Sequence, residues 1–241
     1  MYITEYNEKG QVVDMTVKSV KANYVKLYWQ YYRSLEKRFL KTEEFVAFDE
    51  VNNKAYSFEF LSLLQTICSE IDVVAKAICR FWDKSFPEKE VTIQRWGFCL
   101  QKEFPNITSQ TIAFRKEIMF IPWEKWMIEE RRNKKGELYF AYSEKCGSPF
   151  WWNAYNSVKH ARTTIDDGRV NYQKANLKNV MYSLGALYVL HRLMMLKIDE
   201  NMYNFIEKSE LFTILGNNDE ITIKPFYDKE GHLYISYGDE S

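Results

Sequence analysis

Glycine and proline are scarce in this chain, with nine Gly and five Pro in 241 residues. So few breakers argue against a loop-rich all-β architecture and favour long regular elements. Cysteine and histidine are scarcer still. Cys68, Cys79, Cys99 and Cys146 form no CxxC pair, and His160, His191 and His232 stand far apart. No metal-ligand spacing results, so no metal site and no disulfide framework is expected. Free thiols fit a reducing, cytoplasmic setting. The phosphate-cradling patterns GxGxxG and GxxxxGKS/T are missing, as are HExxH and GxSxG. A nucleotide-binding glycine loop, a zinc protease site and a serine nucleophile elbow are therefore not indicated, and no cofactor is expected. The longest apolar run, Val180 to Leu196, contains His191 and Arg192. It is too short and too polar for a membrane span, so no membrane partner is expected. The opening MYITEYNEKG is polar and lacks the apolar centre of a secretory leader.

Aromatic residues are abundant: 16 Phe, 17 Tyr and 7 Trp, or 17% of the chain. A chain of this size and composition can bury a sizeable core. Formal charges cancel overall, yet they are unevenly placed. From Asp199 to Ser241 there are ten acids against three bases, so that segment carries −7 and residues 1–198 carry +7. A basic body is compatible with a nucleic-acid partner, and equally with a solvated surface beside an acidic end.

The spacing predicts a mainly α fold, a bundle of about four to five helices with a few short strands and a C-terminal β-hairpin appendage. Thr16–Lys41 reads as one helix with a stripe of Val20, Tyr24, Leu27, Tyr31, Leu35 and Phe39. Tyr56–Trp82 is a second, with Ser57 as a plausible N-cap. Thr92–Phe104 is a shorter helix stopped by Pro105. Thr111–Trp123 is an edge strand or an irregular wall, since Pro122 argues against a central strand. Arg131, Arg132, Lys134 and Lys135 lie in a basic turn before a strand at Glu137–Tyr142. Ser148-Pro149 predicts a helix start, with Ser at the cap, running to about Arg162. The longest helix is expected over about Tyr172–Ile198. Strands at Glu220–Lys224 and His232–Ser236 make a terminal hairpin. The domain reading is a helical domain over 1–198 with a short β insertion near 111–142, and a small acidic appendage over 199–241.

Chemistry concentrates in the helix WWNAYNSVKHAR. Steps of 100° per residue put Trp151, Ala154, Tyr155, Val158 and Ala161 on one side, and Trp152, Asn153, Asn156, Lys159 and His160 on the other. Asn156 and His160 are one turn apart, Lys159 flanks them, and Arg162 lies toward the edge of the core side. An imidazole can shuttle a proton near neutral pH, and cations can stabilise charge developing on phosphate. The same group suits plain RNA binding, with Trp152 as a stacking platform and Arg131, Arg132, Lys134 and Lys135 as phosphate contacts. It also suits an ordinary solvated helix face. His191 falls in an apolar stripe and reads as a core histidine. Glu70 lies at the edge of the second helix's apolar face, within possible reach of His160.

The segment AYNSVKHAR, just before the long apolar helix, resembles the motif region of HEPN domains, as YSFEFLSLLQTICSEIDVVAKAIC resembles a core helix of such proteins. The resemblance covers roughly residues 56–82 and 148–198. It implies a helical bundle that homodimerises. It also implies a metal-independent ribonuclease, of a bacterial defence or toxin–antitoxin system, with a protein antitoxin as partner. The motif is Arg, four to six residues, then His. His160 would be its histidine and Asn156 its polar residue. The motif Arg position falls on Asn153, Ala154 and Tyr155, so Lys159 or Arg162 would carry the charge. Two further readings stay open: a non-catalytic HEPN-like module that binds RNA or a protein, and an interaction or scaffold protein with no nucleic-acid role.

Overall fold

Proline-free segments with apolar faces form the helices of this chain, and its few strands are short. The computed structural model describes residues 5–6, 12–13, 17–89, 91–166, 168–198, 208–215, 224–227 and 233–236. A small hairpin of β1 (Glu5–Tyr6) and β2 (Val12–Val13) precedes helix α1 (Val17–Tyr24). A π-helical turn (Val25–Trp29) then leads into α2 (Gln30–Lys41). Helices α3 (Phe58–Trp82) and α4 (Ile93–Glu103) follow. Next come β3 (Ile112–Phe114) and β4 (Ile118–Phe120), and the hairpin β5 (Ile128–Arg132) and β6 (Leu138–Tyr142). Helix α5 (Phe150–His160), the short pair β7 (Ile165–Asp166) and β8 (Arg169–Val170), and helix α6 (Leu177–Ile198) complete the helical body. Strand β9 (Phe212–Ile214) and the hairpin β10 (Lys224–Tyr227) and β11 (Leu233–Ser236) end the order. The fold is mainly α, with small antiparallel sheets. Among the described residues, no helix is long and apolar enough to cross a membrane.

The centre is α3 packed on α6. Phe60, Leu63, Leu64, Ile67, Ile71, Val74 and Ile78 of α3 are all buried, and Ser57 caps the helix by accepting from the Phe60 amide at 3.0 Å. Helix α6 is buried on nearly every side. It begins at Leu177 rather than near Tyr172: residues 171–174 form a 3₁₀ turn, and the Asn176 side chain accepts from the Asn179 amide at 3.0 Å, which fixes the later start.

The first helix differs from its expected form. Its buried positions are Tyr24, Trp29, Tyr32, Leu35 and Phe39, while Leu27 and Tyr31 are 55% and 42% exposed. The step from Tyr24 to Trp29 is five residues, and the Gln30 amide donates to the Val25 carbonyl, the π pattern. That one wide turn rotates the stripe away from Leu27 and Tyr31.

Strand β3 is the centre of a three-stranded sheet, between β4 and β9, where the sequence predicts an edge strand or an irregular wall. Pro122 lies just beyond β4, so it removes no ladder donor. Strand β9 comes from the segment expected to be an appendage. Its flanks are held by Arg115 N–H to Leu211 O at 2.7 Å and Leu215 N–H to Thr111 O at 3.0 Å. Arg131 and Arg132 belong to strand β5, and the turn itself runs from Asn133 to Glu137. The terminal hairpin pairs Lys224 with Ser236 through to Tyr227 with Leu233, so its first strand sits later than expected.

Five tryptophans, Trp96, Trp123, Trp126, Trp151 and Trp152, pack edge to face or tilted with centroids 4.4–6.1 Å apart. These tryptophans therefore build core rather than an exposed platform. Gly97 lets α4 approach this cluster, because a Cβ there would collide with Trp126 and Ile128. Helix propensity favours Ala over Gly by about 1 kcal/mol. Overpacking against a rigid indole outweighs that gain, so Gly97→Ala is expected to lose about 1–3 kcal/mol in urea unfolding.

Candidate functional site

Helix α5 is anchored by its tryptophans. Trp151 is fully buried and donates from Nε1 to the Pro122 carbonyl at 2.8 Å. Trp152, expected on the outer face, is 8% exposed and packs against Trp96, Trp151 and Tyr155. The reason is that α5 is covered on a second side, by the cluster around Trp96, so Trp152 offers no stacking platform for a base. The helix begins one residue later than expected: Pro149 stands at the cap position and makes no side-chain cap bond. Ser148 instead pairs its hydroxyl with that of Tyr142 at 2.5 Å, which ties α5 to the end of β6.

Ala154, Tyr155 and Val158 face the core. Asn153, Lys159 and His160 are exposed and Asn156 is half-buried. Lys159 Nζ lies 5.4 Å from the centroid of the Tyr155 ring, a cation–π contact that holds its stem along the helix. Asn156 and His160 share a face, with no hydrogen bond between their side chains among the described residues. The end of the helix is held by backbone contacts: Ala161 N–H to Ser157 O at 3.0 Å, Asn171 Nδ2 to Ala161 O at 2.9 Å, and Tyr172 N–H to Arg162 O at 3.1 Å. The Arg162 residue itself is exposed. Lys174 reaches Ser157 and pairs with Asp166, and that hydrogen bond holds the Asp166 carboxyl below its usual pKa. No acid occurs between Cys146 and Ile165. Lys159 and His160 at a helix C-terminus also complement its dipole. The outcome is a helix end free of acids of its own, carrying Asn156, Lys159 and His160, with Arg162 just beyond it and Asp166 neutralised by Lys174.

The basic hairpin is a separate feature. Arg131 pairs with Glu129 and donates to Tyr142 O at 3.3 Å, while Arg132 donates to Gly136 O at 3.0 Å. Lys134 and Lys135 are exposed at the turn. The hairpin joins the N-terminal end of α5, whereas His160 ends that helix. Eleven residues of α5 span about 16 Å, so these lysines and His160 do not form one site at the helix.

A second polar group lies in the core. His191 is fully buried, and its Nδ1 meets the Tyr24 hydroxyl at 2.5 Å. Trp29 and Tyr32 flank the ring. The π turn is what lets both Tyr24 and Trp29 reach it. Glu70 faces Tyr24 and Tyr28 here, not His160: burial first and Glu70 next push the Tyr28 hydroxyl up. Burial raises the Glu70 carboxyl to about 7 and lowers His191 to about 3. The five-residue step from Tyr24 to Trp29 is the sequence signal for this arrangement. Glu36 is a buried carboxylate, visible in the sequence as an acid between Tyr32 and Phe39 on the apolar stripe.

Among the described residues, no group of three or more His, Cys, Asp and Glu is placed to hold a metal ion. Comparison with protein-family models, curated proteins and solved structures finds no match for this chain.

Proposed function

We propose that this chain is a HEPN-like, RNA-binding module that contacts RNA phosphate through the outer surface at the end of α5. The observation that carries the reading is the group Asn156, Lys159 and His160 on a rigidly anchored helix that has no acid of its own, with Arg162 just past its end. The amide and cations supply donors for phosphate oxygens, and nothing of opposite charge on the helix competes for them. Binding is favoured over cleavage because Ala154 and Tyr155, at the motif Arg position, face the core, and Asn153 carries no charge. A metal-independent ribonuclease is the second reading. It is favoured by the exposed His160 imidazole. The bacterial defence or toxin–antitoxin setting and an antitoxin partner belong to this reading through the resemblance alone.

The test incubates purified protein with total RNA in EDTA, with His160→Ala beside it. Retention of intact RNA, weakened in the variant, supports the binding module. Cleavage that survives EDTA and vanishes in the variant supports the nuclease. Neither retention nor cleavage leaves the scaffold reading and removes RNA from the account.

A further inference from the structure

Among the described residues all four cysteines are free thiols, but two of them are not placed alike by chance of sequence. Cys79 is near the end of α3 and Cys99 is in the middle of α4, and these helices pack together. The Cys79 thiol donates to the Trp96 carbonyl at 3.5 Å. Trp96 is three residues before Cys99, so this contact places Cys79 Sγ against the turn of α4 that carries Cys99. Cys79 is buried and Cys99 is partly open to solvent. Cys68 is buried within α3, and Cys146 lies in the turn before α5.

We propose that Cys79 and Cys99 form an oxidisable pair that closes to an intramolecular disulfide on reaction with a hydroperoxide, stapling α3 to α4. Cys99 is the attacking sulfur, because it is the one a small oxidant can reach. Its thiolate attacks the distal peroxide oxygen. The O–O bond breaks, Cys99 becomes a sulfenic acid, and the alkoxide or hydroxide leaving group takes a proton from solvent. Cys79 then attacks the Cys99 sulfur. The S–OH bond breaks, the S–S bond forms, and the hydroxyl leaves with the Cys79 proton as water. The two thiols together lose two electrons, and the peroxide gains them. The neighbouring Cys79 thiol is the largest influence lowering the Cys99 pKa, against partial burial and the nearby Asp83 and Glu103 carboxylates. Arg95, on the same helix, adds to the lowering. The inference does not depend on the RNA-binding reading.

The test treats the full chain with hydrogen peroxide, blocks remaining thiols with an alkylating agent and maps the peptides by mass. The expected product is a Cys79–Cys99 cross-linked peptide lighter by two hydrogens, restored by dithiothreitol, with Cys68 still alkylated. Cys79→Ser is expected to stop at a Cys99 sulfenic acid that a dimedone probe labels, and Cys99→Ser to leave Cys79 reduced. Wild-type protein in which Cys99 accumulates as sulfenic or sulfinic acid while Cys79 is alkylated would overturn the proposal. So would oxidation of Cys146 with Cys99 untouched. The mapping of wild type decides the matter even where a variant folds poorly.

Discussion

Glu36→Ala is expected to lower stability by about 3–5 kcal/mol, the cost of breaking a buried charge pair by removing one partner. Glu36 is fully buried on α2 and pairs with Arg33, one turn earlier and itself almost buried. Its carboxylate also accepts from the Tyr32 hydroxyl at 3.0 Å, from the Ser209 hydroxyl, and from the Leu211 amide at 3.2 Å. Arg33 continues the network to Lys208 O at 3.0 Å and to Glu210 at 2.6 Å. One carboxylate thus fixes the segment that delivers β9 to β3. The loss should be local as well as global. In Glu36→Ala, hydrogen exchange at the Leu215 amide, bonded to Thr111, should accelerate more than exchange within α3. Glu36→Gln keeps an acceptor for Ser209 and Leu211 and should lose less. Unchanged exchange at Leu215 would show that β9 docks without Glu36.

The second large effect is a pair of opposed pH dependences. His191 is neutral in the fold and depressed from 6.5 to about 3, so below pH 6.5 the unfolded chain binds a proton that the folded chain refuses. Its contribution therefore falls as pH drops from 6.5 toward 3, at up to about 1.4 kcal/mol per pH unit. Glu70 is raised from 4.5 to about 7, so the folded chain keeps a proton that the unfolded chain has lost. Its contribution is present below pH 4.5 and is lost as pH rises toward 7. Solvent reaches the half-buried Glu70, so its slope is the shallower of the two. Tyr24, Tyr28, Tyr32, Arg80 and Arg192 surround the two groups, and burial pushes the three tyrosines further above this window. Between pH 4.5 and 6.5 the two slopes oppose each other. Against wild type, Glu70→Gln should become steadily less stable as pH falls through that window, and His191→Phe steadily more stable. Tyr24 keeps a partner in His191→Phe, because its hydroxyl also reaches the residue 191 carbonyl at 3.3 Å. Denaturant unfolding at several pH values reads both. Differences from wild type that do not change with pH would contradict the assignment.

Helix α3 was legible because its apolar face repeats without interruption and Ser57 stands at its start. Helix α6 was legible in position but not in orientation, since residues buried on every side leave no polar face to read. The first helix shows how a single wide turn defeats a regular wheel: Leu27 and Tyr31 match the 3.6-residue period, yet Trp29 and Tyr32 are the residues inside. Trp152 failed for a related reason. A wheel assumes one covered face, and α5 has two, the second supplied by Trp96, distant in sequence. The pairing of β9 with β3 joins segments about one hundred residues apart, and no local pattern encodes it. At the candidate site, Asn156, Lys159, His160 and Arg162 were legible as a group because they fall within seven residues of sequence, although the helix ends at His160 and leaves Arg162 in the following turn. Their separation from Lys134 and Lys135 depends on where the hairpin packs, which the contacts of Phe140 with Phe98 and Arg95 and of Tyr142 with Ser148 reveal.

The central claim is that the outer surface of α5 contacts RNA phosphate. The most direct measurement is the affinity of wild type and Lys159→Ala for a single-stranded RNA across a range of salt. A phosphate contact at Lys159 predicts weaker binding whatever the sequence of the RNA, and a slope of log affinity against log salt shallower by about 1. An unchanged affinity and slope in the variant, or no salt-dependent binding by wild type, would contradict it.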